Sequence, residues 1–233
     1  MTTDAPRALA VRTMFTRIAV RYDLMNSLMT GGCHHAWRRA TARAATAAAP
    51  GPILDLATGT ADLALAIRRL EPARPVVGAD FSLGMLDEAR RKLARPSSGI
   101  ALVAADALAL PFTDGTFTCV VSAFLLRNLV DLGRGLREMR RVTRPGGRVI
   151  ALEITRVVLP IWGGVFGLYF HRVVPAIGAL VAGDRQAYTY LPQSVDRFLT
   201  PRELAHAMEN AGLRDVHWQT FGLGTVALHV GTA

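Results

Sequence analysis

The chain has 233 residues, 51% of them hydrophobic and 19% charged, a balance that excludes a disordered chain and supports a sizeable buried core. Its net charge of +9 is almost all arginine, with Lys92 the only lysine. Arg39, Arg68, Arg91, Arg140 and Arg172 are spread along the chain, which argues against a nucleic-acid surface and for attraction to anionic headgroups.

The first fifty residues end in ATARAATAAAP (40–50), an alanine-rich helix end, so residues 1–50 are expected to form a helical cap. Strands and helices then alternate: a strand at 52–57, a helix at 61–70, strands at 74–80 and 100–106 around a helix at 83–94, and a fourth strand at 117–124. A helix over 132–142, a turn at RPGG (144–147) and a fifth strand at 148–154 follow, completing a core of 51–156. Residues 157–200 form an apolar insert. Its greasiest part, 157–183, is interrupted by Pro160, His171, Arg172 and Pro175 and is too short between charges for a membrane span of roughly 20 residues. The chain closes, over 201–233, with an amphipathic helix and two strands. The expectation is one domain of doubly wound α/β class with a mostly parallel, seven-stranded sheet. Cys33 and Cys119 offer neither a disulfide framework nor metal-ligand spacing, and the N-terminus has no apolar signal core. The expected location is the cytoplasm, at most peripheral to the inner face of a membrane.

In such sheets ligands sit beyond the carboxyl ends of the strands, and polar residues recur at that edge. Asp55 lies near the end of the first strand, Asp80 ends the second and Asp106 the third, while Arg127 and Asn128 follow the fourth. The first strand–helix turn, DLATGTADL, has small residues at Ala57, Gly59 and Ala61 that let the backbone approach a ligand, with free N–H donors behind them. A nicotinamide dinucleotide fits poorly, because only Gly59 is a glycine and Asp55 would face a pyrophosphate. Asp55 suits a cationic ligand, Asp80 a ribose, and Asp106 with Ala107 an adenine amino group. A ligand with all three and no phosphate is S-adenosyl-L-methionine, which makes the protein a candidate class I methyltransferase.

From about Met14 to Gly231 the sequence resembles the ubiquinone/menaquinone biosynthesis C-methyltransferases, through FTRIAVRYDLMN, DLATGTADL, GADFSLGML, DALALPFTDGTF, LLRNLVD, REMRRVTRPGGRVIALE, DRQAYTYLPQS and ALHVG. The resemblance implies C-methylation of a reduced polyprenyl quinone, demethylmenaquinol or the benzoquinol of the ubiquinone pathway; the arginine- and alanine-rich composition, as in GC-rich bacteria of which many use menaquinone, favours demethylmenaquinol. It implies cofactor contacts at Thr60, Asp80, Asp106 and Ala107, adds Phe81 and Met85 within GADFSLGML, and gives Tyr22 the task of closing the N-terminal segment over the cofactor. It assigns the chemistry at the substrate hydroxyl to Arg127 and Asn128, with Asp106 sharing in proton relay. The chain departs from the family at Ala61 and Leu125, where glycine is usual, and at Ala123, where serine is frequent.

A ring carbon is a poor nucleophile until the adjacent phenol ionises, and phenols titrate near 10 as tyrosine does. A fixed guanidinium at Arg127 would favour the phenolate, although arginine, which keeps its proton, is no simple base. The bland alternative makes Arg127 a surface ion-pair residue and Asn128 a helix cap. His171, with Tyr169 beside it, is the histidine best placed to meet substrate; His34, His35, His206 and His217 read as structural or exposed and His229 as a satisfied core residue. The insert reads as a lid over a polyprenyl chain, lined by Trp162, Phe166, Leu168 and Phe170, or as a pair of core or homodimer-interface helices. The rival functions are a methyltransferase for another hydrophobic small molecule and a non-catalytic relative that binds cofactor or lipid.

Overall fold

The computed structural model describes residues 4–94, 99–156, 167–182 and 184–233. Helix α1 (Asp4–Ile18), a short 3-10 turn, α2 (Tyr22–Thr30) and α3 (Cys33–Thr46) precede the first strand. The alternating core then runs β1 (Ile53–Leu56), α4 (Asp62–Leu70), β2 (Val76–Asp80), α5 (Leu83–Leu93), β3 (Ile100–Ala104), β4 (Phe117–Ala123), α6 (Leu132–Val142) and β5 (Thr143–Ile154). Residues 169–182 form α7, in which one α turn (Val174–Ile177) is flanked by π turns. Helices α8 (Arg185–Asp196) and α9 (Pro201–Asn210) lead to β6 (Arg214–Phe221) and β7 (Val226–Thr232). The seven strands form one sheet in the order β3-β2-β1-β4-β5-β7-β6, with β7 antiparallel to both its neighbours and the remaining pairs parallel.

The expected strands and helices fall within a few residues of the observed ones. The exception is β5, which starts at Thr143 and takes in the expected RPGG turn. Thr143 pairs with Phe117 and Arg148 with Cys119, so residues 144–147 leave the ladder with β4 as a bulge. The bulge is not idle: Gly146 N–H donates to Ala233 O, and Ala233 N–H to Gly147 O.

Alternation of the strands builds a core on each face of the sheet. Leu54 and Leu56 of β1 pack with Leu136, Met139 and Val142 of α6 and with Leu204 and Met208 of α9. Ile53 faces the other way, against α3 and α4 through Ala42, Leu63 and Ile67. Side chains of this size contribute about 1.5–3 kcal/mol each when fully buried. A third cluster, containing Ile18, Met25, Met85, Phe170, Val174 and Tyr188, joins α1, α2, α5, α7 and α8.

The helix starts are set by local chemistry. Asp131 accepts from Arg134 N–H at the head of α6, Asp184 from Ala187 N–H at α8, and Thr200 with Glu203 forms a capping box at α9 with Pro201 in its first turn. Asn128 is therefore not the cap of α6. Among the described residues no helix is long and apolar enough to cross a membrane.

Candidate functional site

The loop after β1 bends through left-handed backbone at Ala57 (φ 58°), Gly59 (φ 56°) and Ala61 (φ 68°). Glycine adopts that region freely, whereas alanine pays a steric cost there, so the family's glycine at Ala61 has a conformational reason. By contrast Leu125, the other departure from glycine, sits at φ −91° and costs the backbone nothing. A Cβ built on Gly59 would meet no atom within 4 Å. The loop is thus open on that side, as a closely approaching ligand requires.

Asp80 ends β2 with both oxygens engaged, Oδ2 by Gly59 N–H and Oδ1 by Ser82 N–H, each at 2.8 Å. Burial pushes its carboxyl above the usual carboxylate range, against those hydrogen bonds. Around it lies a cleft enclosing about 910 Å³, open solvent included, walled by Gly59, Asp80, Phe81, Met85, Asp106 and Ala107. Asp106 lies beyond the end of β3, exposed, its Oδ1 accepting from Leu108 N–H at 2.9 Å. Phe81 is half exposed under the Arg12 guanidinium, 5.2 Å from its ring centre.

Two expected contacts turn elsewhere. Alternation along β1 puts Asp55 on the α4 side of the sheet, where its Oδ2 accepts from Thr58 Oγ1 (2.6 Å) and Ala64 N–H (3.0 Å). It is buried among loop atoms rather than on the cleft wall, and burial pushes its carboxyl up to about 7. Thr60 spends its hydroxyl on Asp23 of α2, at 2.7 Å, and accepts from Lys92 of α5 at 3.0 Å. Lys92 also holds Asp23 (2.5 Å) and Asp62 (2.6 Å). The ligand loop and the helical cap are therefore tied together, and Thr16 Oγ1 to Ser82 Oγ, 2.9 Å apart, makes a second tie.

Tyr22 and Phe124 belong both to this cleft and to a second cavity of about 1180 Å³, again with open solvent included. The second cavity is apolar, with Met14, Ile18, Met29, Tyr169, Phe170 and Leu191 on its walls. Phe124 holds left-handed backbone (φ 64°), an outlier for a bulky residue, and its ring meets Arg127 at 5.5 Å and Arg38 at 5.9 Å. Arg127 lines the second cavity but is no surface residue. It is buried, and its Nη1 donates to Glu153 Oε2 at 2.7 Å. Glu153, fully buried in β5, also accepts from Leu126 N–H at 2.5 Å. Burial pushes its carboxyl upward while Arg127 opposes the shift. Asn128 reaches both cavities; its Nδ2 donates to Phe124 O (3.0 Å), and its Oδ1 accepts from Tyr190 Oη (3.1 Å).

The insert residues divide. Tyr169 lines the second cavity and donates to Met29 O at 2.8 Å. Phe170 lines it as well, whereas Leu168 is exposed and Trp162 and Phe166 lie outside the described residues. His171 turns outward to Asp196 (Nε2–Oδ2 3.1 Å), off the cavity wall, because its helical turn puts Phe170 inside. His34, read from sequence as structural or exposed, is buried on the cavity wall between Ser27 and Arg38, and burial pushes its pKa down to about 4. His229 is buried with Nε2 on Pro201 O (2.8 Å), but its Nδ1 lacks a partner, so it is only half satisfied. Sequence reasoning missed Glu153, Phe124 and Tyr190. Glu153 had a readable signal, since it stands near the end of the fifth strand as Asp80 ends the second.

Comparison with solved structures places the fold. A SAM-dependent methyltransferase of Thermotoga maritima superposes with a TM-score of 0.65 at 18% identity, covering 94% of this chain and 98% of the other. A [4+2]-cyclase superposes with a TM-score of 0.64 at 18% identity, covering 85% and 80%, so the scaffold alone does not fix the reaction. Sequence relatives lie much nearer. A demethylmenaquinone methyltransferase of Thermus thermophilus is 45% identical over 94% of this chain and 99% of its own, and one of Deinococcus radiodurans 44% over 95% and 92%. A ubiquinone/menaquinone biosynthesis C-methyltransferase of Desulfotalea psychrophila is 42% identical over 95% and 89%. With its family model matching residues 2–233, this chain belongs to the ubiE/COQ5 methyltransferase family.

Proposed function

We propose that the protein transfers a methyl group from S-adenosyl-L-methionine to a ring carbon of a reduced polyprenyl quinone, with demethylmenaquinol as substrate. The observation that carries this reading is the junction of the two cavities. A cleft with a carboxylate-anchored, open glycine loop meets an apolar chamber at Phe124, Tyr22 and Asn128, with a guanidinium on the chamber wall. The names of the Thermus and Deinococcus relatives favour the naphthoquinol ring.

S-adenosyl-L-methionine, when bound, supplies a methyl group made electrophilic by its sulfonium. Residues 57–61 give it close backbone approach, Asp80 accepts from ribose hydroxyls, and Asp106 and Ala107 meet the adenine between the walls made by Phe81 and Met85. Asp55 and Thr60 act one step back, by holding the loop in shape. Tyr22 covers the junction. On the substrate side Phe170 and Tyr169 pack the ring and the start of its tail, leaving His171 outside. Arg127 and Asn128 hold the reacting hydroxyl, and the guanidinium stabilises the phenolate that makes the ring carbon nucleophilic.

The tail of such a substrate lives in a membrane, and the surface beside the chamber suits one. Val20, Leu24, Leu28, Leu168, Val173 and Leu180 are exposed on the chain around α2 and α7, with Arg21 and Arg172 among them. The two helices are joined by Tyr169 on Met29 O and Arg21 on Val181 O. We take this face as the peripheral membrane contact.

The test is mass spectrometry of the purified protein with S-adenosyl-L-methionine and a short-tailed demethylmenaquinone, with and without reductant. A methylated naphthoquinone formed only under reducing conditions is expected. Product without reductant would remove the phenolate from the mechanism, and turnover of benzoquinols alone would change the ring.

A further inference from the structure

Buried polar atoms are normally hydrogen-bonded, and one left without a partner in a cavity wall calls for a partner from whatever fills the cavity. Among the described residues seven buried side-chain nitrogen and oxygen atoms lack a partner, and three of them, Asn26 Nδ2, Arg127 Nε and Tyr188 Oη, belong to the wall of the apolar chamber. Most other polar side chains of that wall are engaged. Thr30 donates to Asn26 O, Tyr169 to Met29 O, Thr225 to Gly222 O and Tyr190 to Asn128 Oδ1, and His34 is held by Ser27 and Arg38. Arg127 follows β4, whereas Asn26 and Tyr188 stand on the helices α2 and α8. Tyr188 is only 3% exposed, and its ring lies so close to Gly178 of α7 that a Cβ there would overlap it. Burial above all, with Tyr22 and Asp184 adding to it, pushes its phenol well above the ordinary value, so the group stays a neutral hydroxyl.

Resting on the quinol reading, we propose that Tyr188 and Asn26 bind the second ring oxygen of the substrate, the one that Arg127 and Asn128 do not hold, and so select a ring with oxygen at both ends. The unpartnered atoms themselves decide the kind of group. Asn26 Nδ2 only donates, while Tyr188 Oη both donates and accepts, so a hydroxyl oxygen satisfies the two together. A hydrocarbon edge against them would leave two buried polar groups unpaired, and each such group costs more than a typical hydrogen bond contributes. A para-quinol carries its hydroxyls at opposite ends of the ring. With one of them on Arg127, the other needs its own partner in a chamber otherwise walled by side chains such as Met14, Ile18, Phe170 and Leu191. The open carbon of the quinol ring adjoins the oxygen on Arg127, where the phenolate forms. The oxygen on Tyr188 then adjoins the carbon that bears the tail. It remains a neutral hydroxyl, accepting from Asn26 and sharing a hydrogen bond with Tyr188, so activation is confined to the oxygen beside the carbon to be methylated.

The test compares 1-naphthol with 1,4-dihydroxynaphthalene, which differ only in the second oxygen. Calorimetric titration, without air and with a reductant present, measures the affinity of each for the full chain and for its Tyr188→Phe and Asn26→Ala variants. The single hydroxyl of 1-naphthol takes the guanidinium, the stronger donor. The unaltered protein should bind the diol at least about tenfold more tightly, as a site with a partner for each hydroxyl does. Tyr188→Phe should cut that preference to about twofold, by weakening the diol and leaving 1-naphthol nearly unchanged, and Asn26→Ala should reduce it by a smaller factor. Equal affinities in the unaltered protein overturn the proposal, since water then serves these atoms as well as a second hydroxyl does. A preference that both variants keep overturns it too, as do variants that weaken both ligands equally, which is the signature of a purely structural role. These results leave the quinol reading intact. Failure of both ligands to bind also overturns the proposal, and where the methylation assay gives no product the quinol reading falls with it. Should Tyr188→Phe not fold, the preference of the unaltered protein and its response to Asn26→Ala decide.

Discussion

Asp55 is an acid read from sequence as facing a cationic ligand and found holding its own loop. Its buried carboxyl is pushed up to about 7 from an ordinary value near 3.8. Between those two values the unfolded chain has released the proton and the folded chain still holds it. The contribution of Asp55 is therefore complete below about pH 4 and is lost as pH rises through 7, by as much as about 4 kcal/mol if the whole shift is realised. Asparagine keeps an acceptor for Ala64 N–H and has no proton to lose. Asp55→Asn should accordingly gain on the unaltered protein between pH 5 and pH 8, as read by urea denaturation at both. Parallel losses in the two proteins would mean that Asp55 ionises at an ordinary pH in the folded state. The residue also marks what a sequence can say at this scale. Strand ends were readable, so Asp80 and Arg127 were found at the ligand edge. The direction of a side chain within a strand depends on which face is packed by which helix, and that face is chosen by the whole sheet.

Elements were legible where periodicity and caps agreed. The strands and helices of residues 51–156 emerge from their apolar runs because each is bounded by a turn or a capping residue. The coupling between elements was not, because it is made by side chains distant in sequence. Lys92, on α5, clamps Asp23 of the cap to Thr60 and Asp62 beside the ligand loop. The clamp is only part-buried, so its worth is on the order of 1 kcal/mol. Lys92→Met should leave the sheet intact and weaken S-adenosyl-L-methionine about fivefold, since that energy would otherwise hold the cap over the cleft. Calorimetric titration measures this, and an unchanged affinity would show that the cap closes without help from α5. Phe124 is a related case. Nothing in CVVSAFLLRN announces left-handed backbone at a phenylalanine, yet that bend places its ring between the two cavities. The apolar insert was recognised as surface needing cover, but its π turns at Tyr169–Val173 and Gly178–Ala182 leave no periodic trace.

At the scale of the whole molecule, net charge and exposed apolar surface act together. A charge of +9 draws the protein toward anionic lipid, and the leucines beside the chamber can then enter the headgroup region. Leu24 and Leu180 are 52% and 86% exposed, so replacing them disturbs little of the folded core. Each buried leucine contributes about 1.5–3 kcal/mol, and partial insertion of two still amounts to at least about a tenfold effect on partitioning. Leu24→Glu combined with Leu180→Glu should therefore reduce co-sedimentation with vesicles rich in phosphatidylglycerol at least about tenfold. Turnover of a short-tailed, water-dispersed quinol should stay near that of the unaltered protein, because neither residue is on the wall of either cavity. Binding of the unaltered protein should weaken with added salt, as charge attraction does. A second copy of the chain is the other occupant this face could take. Light scattering separates the two: a dimer that the double variant converts to monomer, with vesicle binding unchanged, would make the face a subunit interface, and a monomer that loses its vesicles would make it the route by which the quinol tail reaches the chamber.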